Sequence, residues 1–187
     1  AARQALPVYE QLAEEFAAGF GRRYAAVEAY RCRDAEILLL MIGSFATKAK
    51  AAVEQLRAAG QAVGLLRPLL LRPFPDQALR QALRGKRGVA VIDQNLSFGL
   101  GGVLHSELAS ALHGLADAPI LVSFIGGLGG RDIAPEEFFE IVHVTRQAVE
   151  TGRIPPPRLL YTEDELRELR TLQTLAQVER NLLGNMQ

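Results

Sequence analysis

The stretch VIDQNLSFGLGGVLHSEL, from Val91 to Leu108, decides the fold. It passes from an apolar run through a single acid, Asp93, into a glycine-rich loop and then into a segment with helical spacing. Strand, glycine turn and helix in that order is the repeating step of α/β proteins. It is also the form in which many of them hold a phosphate on the first N–H groups of the helix. Two readings therefore compete: a cofactor loop, or a tight turn whose glycines supply positive φ and close backbone approach with no ligand at all. The spacing favours the turn. Gly99, Gly101 and Gly102 miss G-x-G-x-x-G, and no segment reads G-x-x-x-x-G-K-[ST].

Outward from this stretch the same step repeats. Glu36–Ile42 (EILLLMI) is apolar on both faces, as a central strand covered by helices on each side must be. A helix over Ala46–Ala59 follows, closed by Gly60. AVGLLRP is a further strand, stopped by the prolines of RPFP, and Asp76–Arg84 is a short helix. Gly88–Asp93 is a second two-faced strand, Val103–Leu115 a helix, Pro119–Ile125 a strand and Pro135–Thr151 a helix. A shorter strand, Val27–Arg31, precedes them. The expected architecture is α/β: three layers around an open, mostly parallel sheet of about five strands. Glu36–Ile42 and Gly88–Asp93 are expected to be neighbours at the point where strand order reverses.

Amphipathic helices flank this core. Residues 7–20 place Val8, Leu12, Phe16 and Phe20 four apart. After Pro155–Pro157, Thr162 and Glu165 form a capping box. Leu166, Leu169, Leu172, Leu175, Val178 and Leu182 then recur at spacings of three and four, read as one apolar stripe. Packing of that stripe on the chain's own sheet is favoured over docking on another subunit. The division expected is 1–24 for the first helix and lead-in, 25–157 for the α/β domain, and 158–187 for the C-terminal amphipathic helix.

Composition removes several classes of function. Lys+Arg 21 against Asp+Glu 21 leaves no basic excess, which argues against nucleic acid as partner. No apolar run has membrane-spanning length, so no membrane partner is expected. One cysteine, Cys32, excludes an internal disulfide and any iron–sulfur cluster held by this chain's own thiolates, and points to a reducing cytoplasm. Opening on Ala1, the chain is read as a processed or excised piece of something longer.

Three loops fall where strands of such a sheet end: Gly43–Phe45, Gln94–Gly102 and Gly126–Asp132. Position favours a site there and motif does not, so structural turns or subunit contacts are preferred to a small-molecule site. The contact candidates are Asp93, Asn95, Ser97, Phe98, Gly99, Gly101, Gly102, Arg131 and Asp132. His105, His113 and His143 lack the spacing of metal ligands. Ser97 and Ser106 lack the G-x-S-x-G elbow. Cys32, between two arginines, stands alone. No catalytic, cofactor-binding or metal residue is assigned.

Four stretches in order, VEAYRCRDAEILLLMIGS, GLLRPLLLRPFP, VAVIDQNLSFGLGG and FIGGLGGRDIAPEEF, resemble the C-terminal half of the α chain of pyruvate:ferredoxin oxidoreductase and its 2-oxoacid relatives. The resemblance covers roughly Gln11 to Tyr161 and rests on the ordered set rather than on any one motif. It implies a transketolase C-terminal-like domain within an enzyme that decarboxylates a 2-oxoacid, passes electrons to ferredoxin and delivers the acyl group to coenzyme A. Thiamine diphosphate, magnesium and iron–sulfur clusters would be held by other domains or subunits: pyrimidine-binding, diphosphate-binding, γ-type and ferredoxin-type. This segment would support assembly and active-site architecture without catalytic residues, and the isolated chain would be inactive. The alternative is a stand-alone interaction or regulatory module derived from the domain. The family usually carries Thr at the position of Ala134, as cap of the helix that Pro135 begins, so its loss is expected to weaken that helix by about 1 kcal/mol unless Asp132 substitutes. The Leu-rich tail past Tyr161 matches nothing in the resemblance.

Overall fold

The computed structural model describes residues 4–184. A first helix, α1 (Ala5–Phe20), leads into an edge strand, β1 (Val27–Tyr30). The alternating core follows: β2 (Ile37–Met41), α2 (Phe45–Ala58), β3 (Val63–Pro68), α3 (Asp76–Leu83), β4 (Gly88–Asp93), α4 (Val103–Leu112), β5 (Ile120–Ile125) and α5 (Pro135–Thr151). The chain ends with β6 (Arg158–Leu159) and α6 (Glu163–Gly184).

Among the described residues, six strands form one sheet in the order β1-β3-β2-β4-β5-β6. β2 pairs in parallel with both β3 and β4, while β1 alone runs antiparallel, against β3. The chain winds outward from β2 to β3, returns past it to β4, and continues to β5. The reversal of strand order therefore lies between β2 and β4, the two strands whose residues are buried throughout. Strand alternation sends their side chains to two separate cores. Leu39, Met41, Ala90, Ile92, Val122 and Phe124 pack under α2 and α5, while Leu38, Leu40, Val89 and Val91 pack under α3 and α4. That two-sided burial explains why β2 and β4 read as unbroken apolar runs, and it gives the expected three layers.

Three expectations need correction, and the substitute cap allowed for at α5 is not used. The sheet has a sixth strand, and it extends into the segment read as C-terminal helix. Arg158–Leu159 is too short and too near three prolines to carry a strand pattern, yet it pairs with Phe124 and Ile125 of β5. α4 stops at Leu112 rather than Leu115, because Gly114 turns the chain in the left-handed region. At α5, Asp132 does not replace the missing cap. Its carboxylate accepts from Ile133 N and pairs with Lys48, while the N-cap Ala134 has no side-chain acceptor.

The third correction concerns α6. Its first turn carries the capping box: Glu165 accepts from Thr162 N at 2.6 Å, and Thr162 Oγ1 from Glu165 N at 3.3 Å. The favoured packing on the chain's own sheet is absent where it can be judged, since Leu166, Leu172 and Leu175 are all exposed. Leu169, Val178 and Leu182 lie outside the residues whose side chains are described. The reason is in the spacing. Steps of three on a helix with ~3.6 residues per turn move each leucine about 60° around the axis. From Leu166 to Leu175 the apolar positions therefore travel about halfway round the helix, and no single flat surface can cover them.

Candidate functional site

The loops at the carboxyl ends of β2, β4 and β5 meet at the reversal point. Gln94, just past β4, lies against both Gly43 after β2 and Gly127 after β5, and Phe45 closes on Gly127 from the start of α2. An open α/β sheet binds its ligands here, and the α4 N-terminus provides the oriented N–H groups. Those groups are already taken. The Asp93 carboxylate, 1% exposed, accepts from Leu104 N at 2.7 Å and from His105 N at 3.1 Å. Asn95 Oδ1 accepts from Val103 N at 3.1 Å, and the Asn95 amide leans on Asp93 at 3.4 Å.

The loop thus brings its own anion to the helix dipole. Asp93, at the end of the strand, satisfies amides that the N-cap residue Gly102 has no side chain to satisfy. Gly102 cannot be anything else: a Cβ there would lie 1.9 Å from Asp93 Oδ2. Burial pushes the Asp93 carboxyl up while the two amides pull it down, and burial pushes His105 down against the attraction of Asp93. A phosphate brought to this helix would meet a buried carboxylate and no free amide among the first turn's Val103, Leu104 and His105. These residues do not fit thiamine diphosphate. Nor do three His, Cys, Asp or Glu side chains come together as a metal site among the described residues.

The rest of the loop is a tight hairpin. Ser97 N donates to Gly101 O at 2.8 Å and Gly101 N returns to Ser97 O at 3.1 Å, with Gly99 and Gly101 both at φ 81°. This turn pushes its apolar residues outward: Phe98 is 93% exposed and Leu100 70%. Beside it, Ile42, Leu71, Phe74, Val103 and Leu104 line a small apolar cleft of about 280 Å³, with the Arg72–Glu107 ion pair at its rim.

Arg131 and Asp132 form a separate group on the third loop. Asp132 pairs with Lys48 of α2, and this cation holds its carboxyl below the usual range. Arg131, with only 16% of its side chain exposed, bonds Glu165 at 2.6 Å and Glu137 at 3.0 Å, and stands 6.0 Å from the Tyr161 ring. The candidate residues therefore split in two. Asp93, Asn95, Ser97, Phe98, Gly99, Gly101 and Gly102 build one loop, while Arg131 and Asp132 tie helices together. Gln94, on which the three loops converge, opens the Gln94–Gly102 loop, and in the sequence only its place directly after the strand marks it. His113, His143 and Cys32 take no part.

Residues 35–138 match the family model for pyruvate:ferredoxin oxidoreductase core domain II. The chain belongs to this family. Pyruvate synthase subunit PorA of Methanothermobacter thermautotrophicus is 43% identical over 138 residues, 74% of this chain and 35% of the relative. PorA of Thermotoga maritima is 43% identical over 69% of the chain and 33% of its own length. Ketoisovalerate oxidoreductase subunit VorA of Pyrococcus horikoshii is 34% identical, over 81% and 39%. The chain therefore spans about a third of the length of the curated relatives it matches. Among solved structures, a 2-oxoglutarate:ferredoxin oxidoreductase from Magnetococcus marinus superposes with a TM-score of 0.50 at 20% identity, over 73% of this chain and 21% of that one. A split-gene transketolase, an inactive β4 tetramer, gives 0.51 at 19%, over 71% and 46%. At such identities these two establish the fold, which is transketolase C-terminal-like.

Proposed function

We propose that this core domain II works as a non-catalytic domain or subunit of a thiamine-diphosphate-dependent 2-oxoacid:ferredoxin oxidoreductase, with pyruvate as the substrate class its PorA relatives suggest. Its task is assembly and the shaping of an active site built elsewhere. The observation that carries this reading is the self-capped α4 N-terminus. At the place where this fold offers an anion seat, Asp93 and Asn95 occupy the amides and Gly102 leaves no room to move them. The exposed Phe98 and Leu100 on the same loop face outward, as a contact loop for another domain would. The partners in this reading are pyrimidine-binding, diphosphate-binding, γ-type and ferredoxin-type domains or subunits, and these would hold thiamine diphosphate, magnesium, the clusters and coenzyme A. The setting is the cytoplasm; no helix of the described residues is long and apolar enough to cross a membrane.

Reconstitution tests this. Pyruvate-dependent reduction of a viologen dye is expected only when this chain is combined with subunits that supply the two thiamine-binding domains. The chain alone should give neither turnover nor heat of binding with thiamine diphosphate and magnesium. Micromolar cofactor binding by the chain alone, or full activity of the other subunits without it, would defeat the proposal.

A further inference from the structure

Two glutamates, each at the third position of a helix, meet on one arginine. Glu137 is the third residue of α5, and its Oε2 accepts from Ala134 N at 2.7 Å, closing that helix's start. Glu165 is the third residue of α6, and its Oε2 accepts from Thr162 N at 2.6 Å. The Arg131 guanidinium lies between them. Its Nε donates to Glu165 Oε1 at 2.6 Å, its Nη2 reaches Glu137 Oε1 at 3.0 Å, and its Nη1 donates to Glu137 Oε2 at 3.2 Å and to the Asp132 carbonyl at 3.0 Å. The group is partly withdrawn from water, with 16% of the Arg131 and Glu137 side chains and 36% of Glu165 exposed.

We propose that Arg131 is a yoke that fixes the direction in which α6 leaves the domain, making α6 a preset arm rather than a loose tail. Each carboxylate binds both the backbone of its own helix start and the same planar guanidinium: Glu165 with one oxygen for each, Glu137 with Oε1 on the guanidinium and Oε2 shared between the two. The fork has fixed geometry, so the angle between the α5 and α6 N-termini is set by bonds and not only by chain connection. α5 is itself fixed, because Phe138, Ile141, Val142 and Ala148 are buried in the sheet core. The direction of α6 is thus referred to the sheet. Among the described residues of α6, Leu166, Leu172 and Leu175 give no comparable fixing, since all three are exposed. A helix held at its first turn, with Leu166, Leu172 and Leu175 exposed, needs no prior ordering of its direction when another surface meets it.

Electron–electron distance measurement on the full chain tests the yoke. Spin labels go on Gln147→Cys of α5 and Gln173→Cys of α6, both exposed, in a Cys32→Ser background. The parent should give one narrow distance distribution. Arg131→Gln should widen it about two-fold or more, and so should Arg131→Lys, because an ammonium cannot fork two carboxylates. Glu165→Gln, which weakens the same contact from the α6 side, should also widen it and serves if Arg131→Gln fails to fold, as judged by its melting curve. A parent distribution already as wide as the variants', or variants as narrow as the parent, overturns the yoke. Neither result depends on whether the chain serves a 2-oxoacid oxidoreductase.

Discussion

Asp93 shows how much one side chain decides in this protein. As a lone acid at the end of an apolar strand it stands out in the sequence, but its partners lie eleven and twelve residues on, across the glycine loop. The sequence therefore shows a loop without a phosphate motif and not the reason for it. Asp93→Ala is expected to lower stability by about 1–3 kcal/mol by orphaning buried amides, measured by urea unfolding. Gly102→Ala should be at least as harmful, since its methyl would displace the carboxylate itself. Glu165 supplies a titration. Arg131 and then the Thr162 amide hold its pKa down to about 2, from an ordinary value of 4.5. A depressed carboxyl contributes stability above its unfolded pKa and loses it as pH falls through the folded one. The α6 anchor should thus be intact above about pH 4.5 and released progressively toward pH 2, whereas Glu165→Gln should show no such acid limb. Carboxyl chemical shifts followed against pH give the answer directly.

At the scale of elements, legibility followed burial. β2 and β4 were readable because helices cover both their faces, which leaves only apolar residues along each strand. Leu39 sits at the centre of that arrangement with no exposed surface, so Leu39→Ala should cost about 2–5 kcal/mol. β6 was unreadable because two exposed residues carry no period; it exists through pairing with β5 alone. The α6 leucines read as a single face in the sequence because a spacing of three resembles a helical repeat until its drift is followed round the axis. At α5 the alanine at the N-cap leaves half a capping box, with Glu137 closed on Ala134 N and only the Ala134 carbonyl, not a side chain, receiving Glu137 N at 3.1 Å. Ala134→Thr should complete the box, the N-cap backbone already being extended at ψ 153°. A gain of about 1 kcal/mol in unfolding free energy is expected.

Taken as a whole, the molecule is a well-filled sheet domain with apolar surface displayed at its periphery. α1 buries none of its residues and holds Phe16 and Phe20 stacked at 4.5 Å on its outer side. The hairpin displays Phe98, and α6 displays Leu166, Leu172 and Leu175. A free-standing protein rarely leaves so much apolar surface unpartnered, and the chain spans about a third of its relatives' length. This is the difference between core domain II as a stand-alone module and as part of an assembly, and α6 provides the discriminating experiment. Leu172 and Leu175 contribute nothing to the domain's own core, being 55% and 57% exposed. Replacing both by Glu should therefore leave the melting temperature of the isolated chain within about a degree, since solvated surface substitutions usually change stability by no more than ~0.5 kcal/mol. If the proposed assembly docks on α6, the same variant co-expressed with the partner subunits of that proposal should fail to assemble, because burying two charged side chains at a subunit contact is strongly unfavourable. Size-exclusion chromatography with mass measurement reads both outcomes. A fall in melting temperature would show that α6 packs on its own domain after all; an unchanged complex would show that the arm serves no subunit contact.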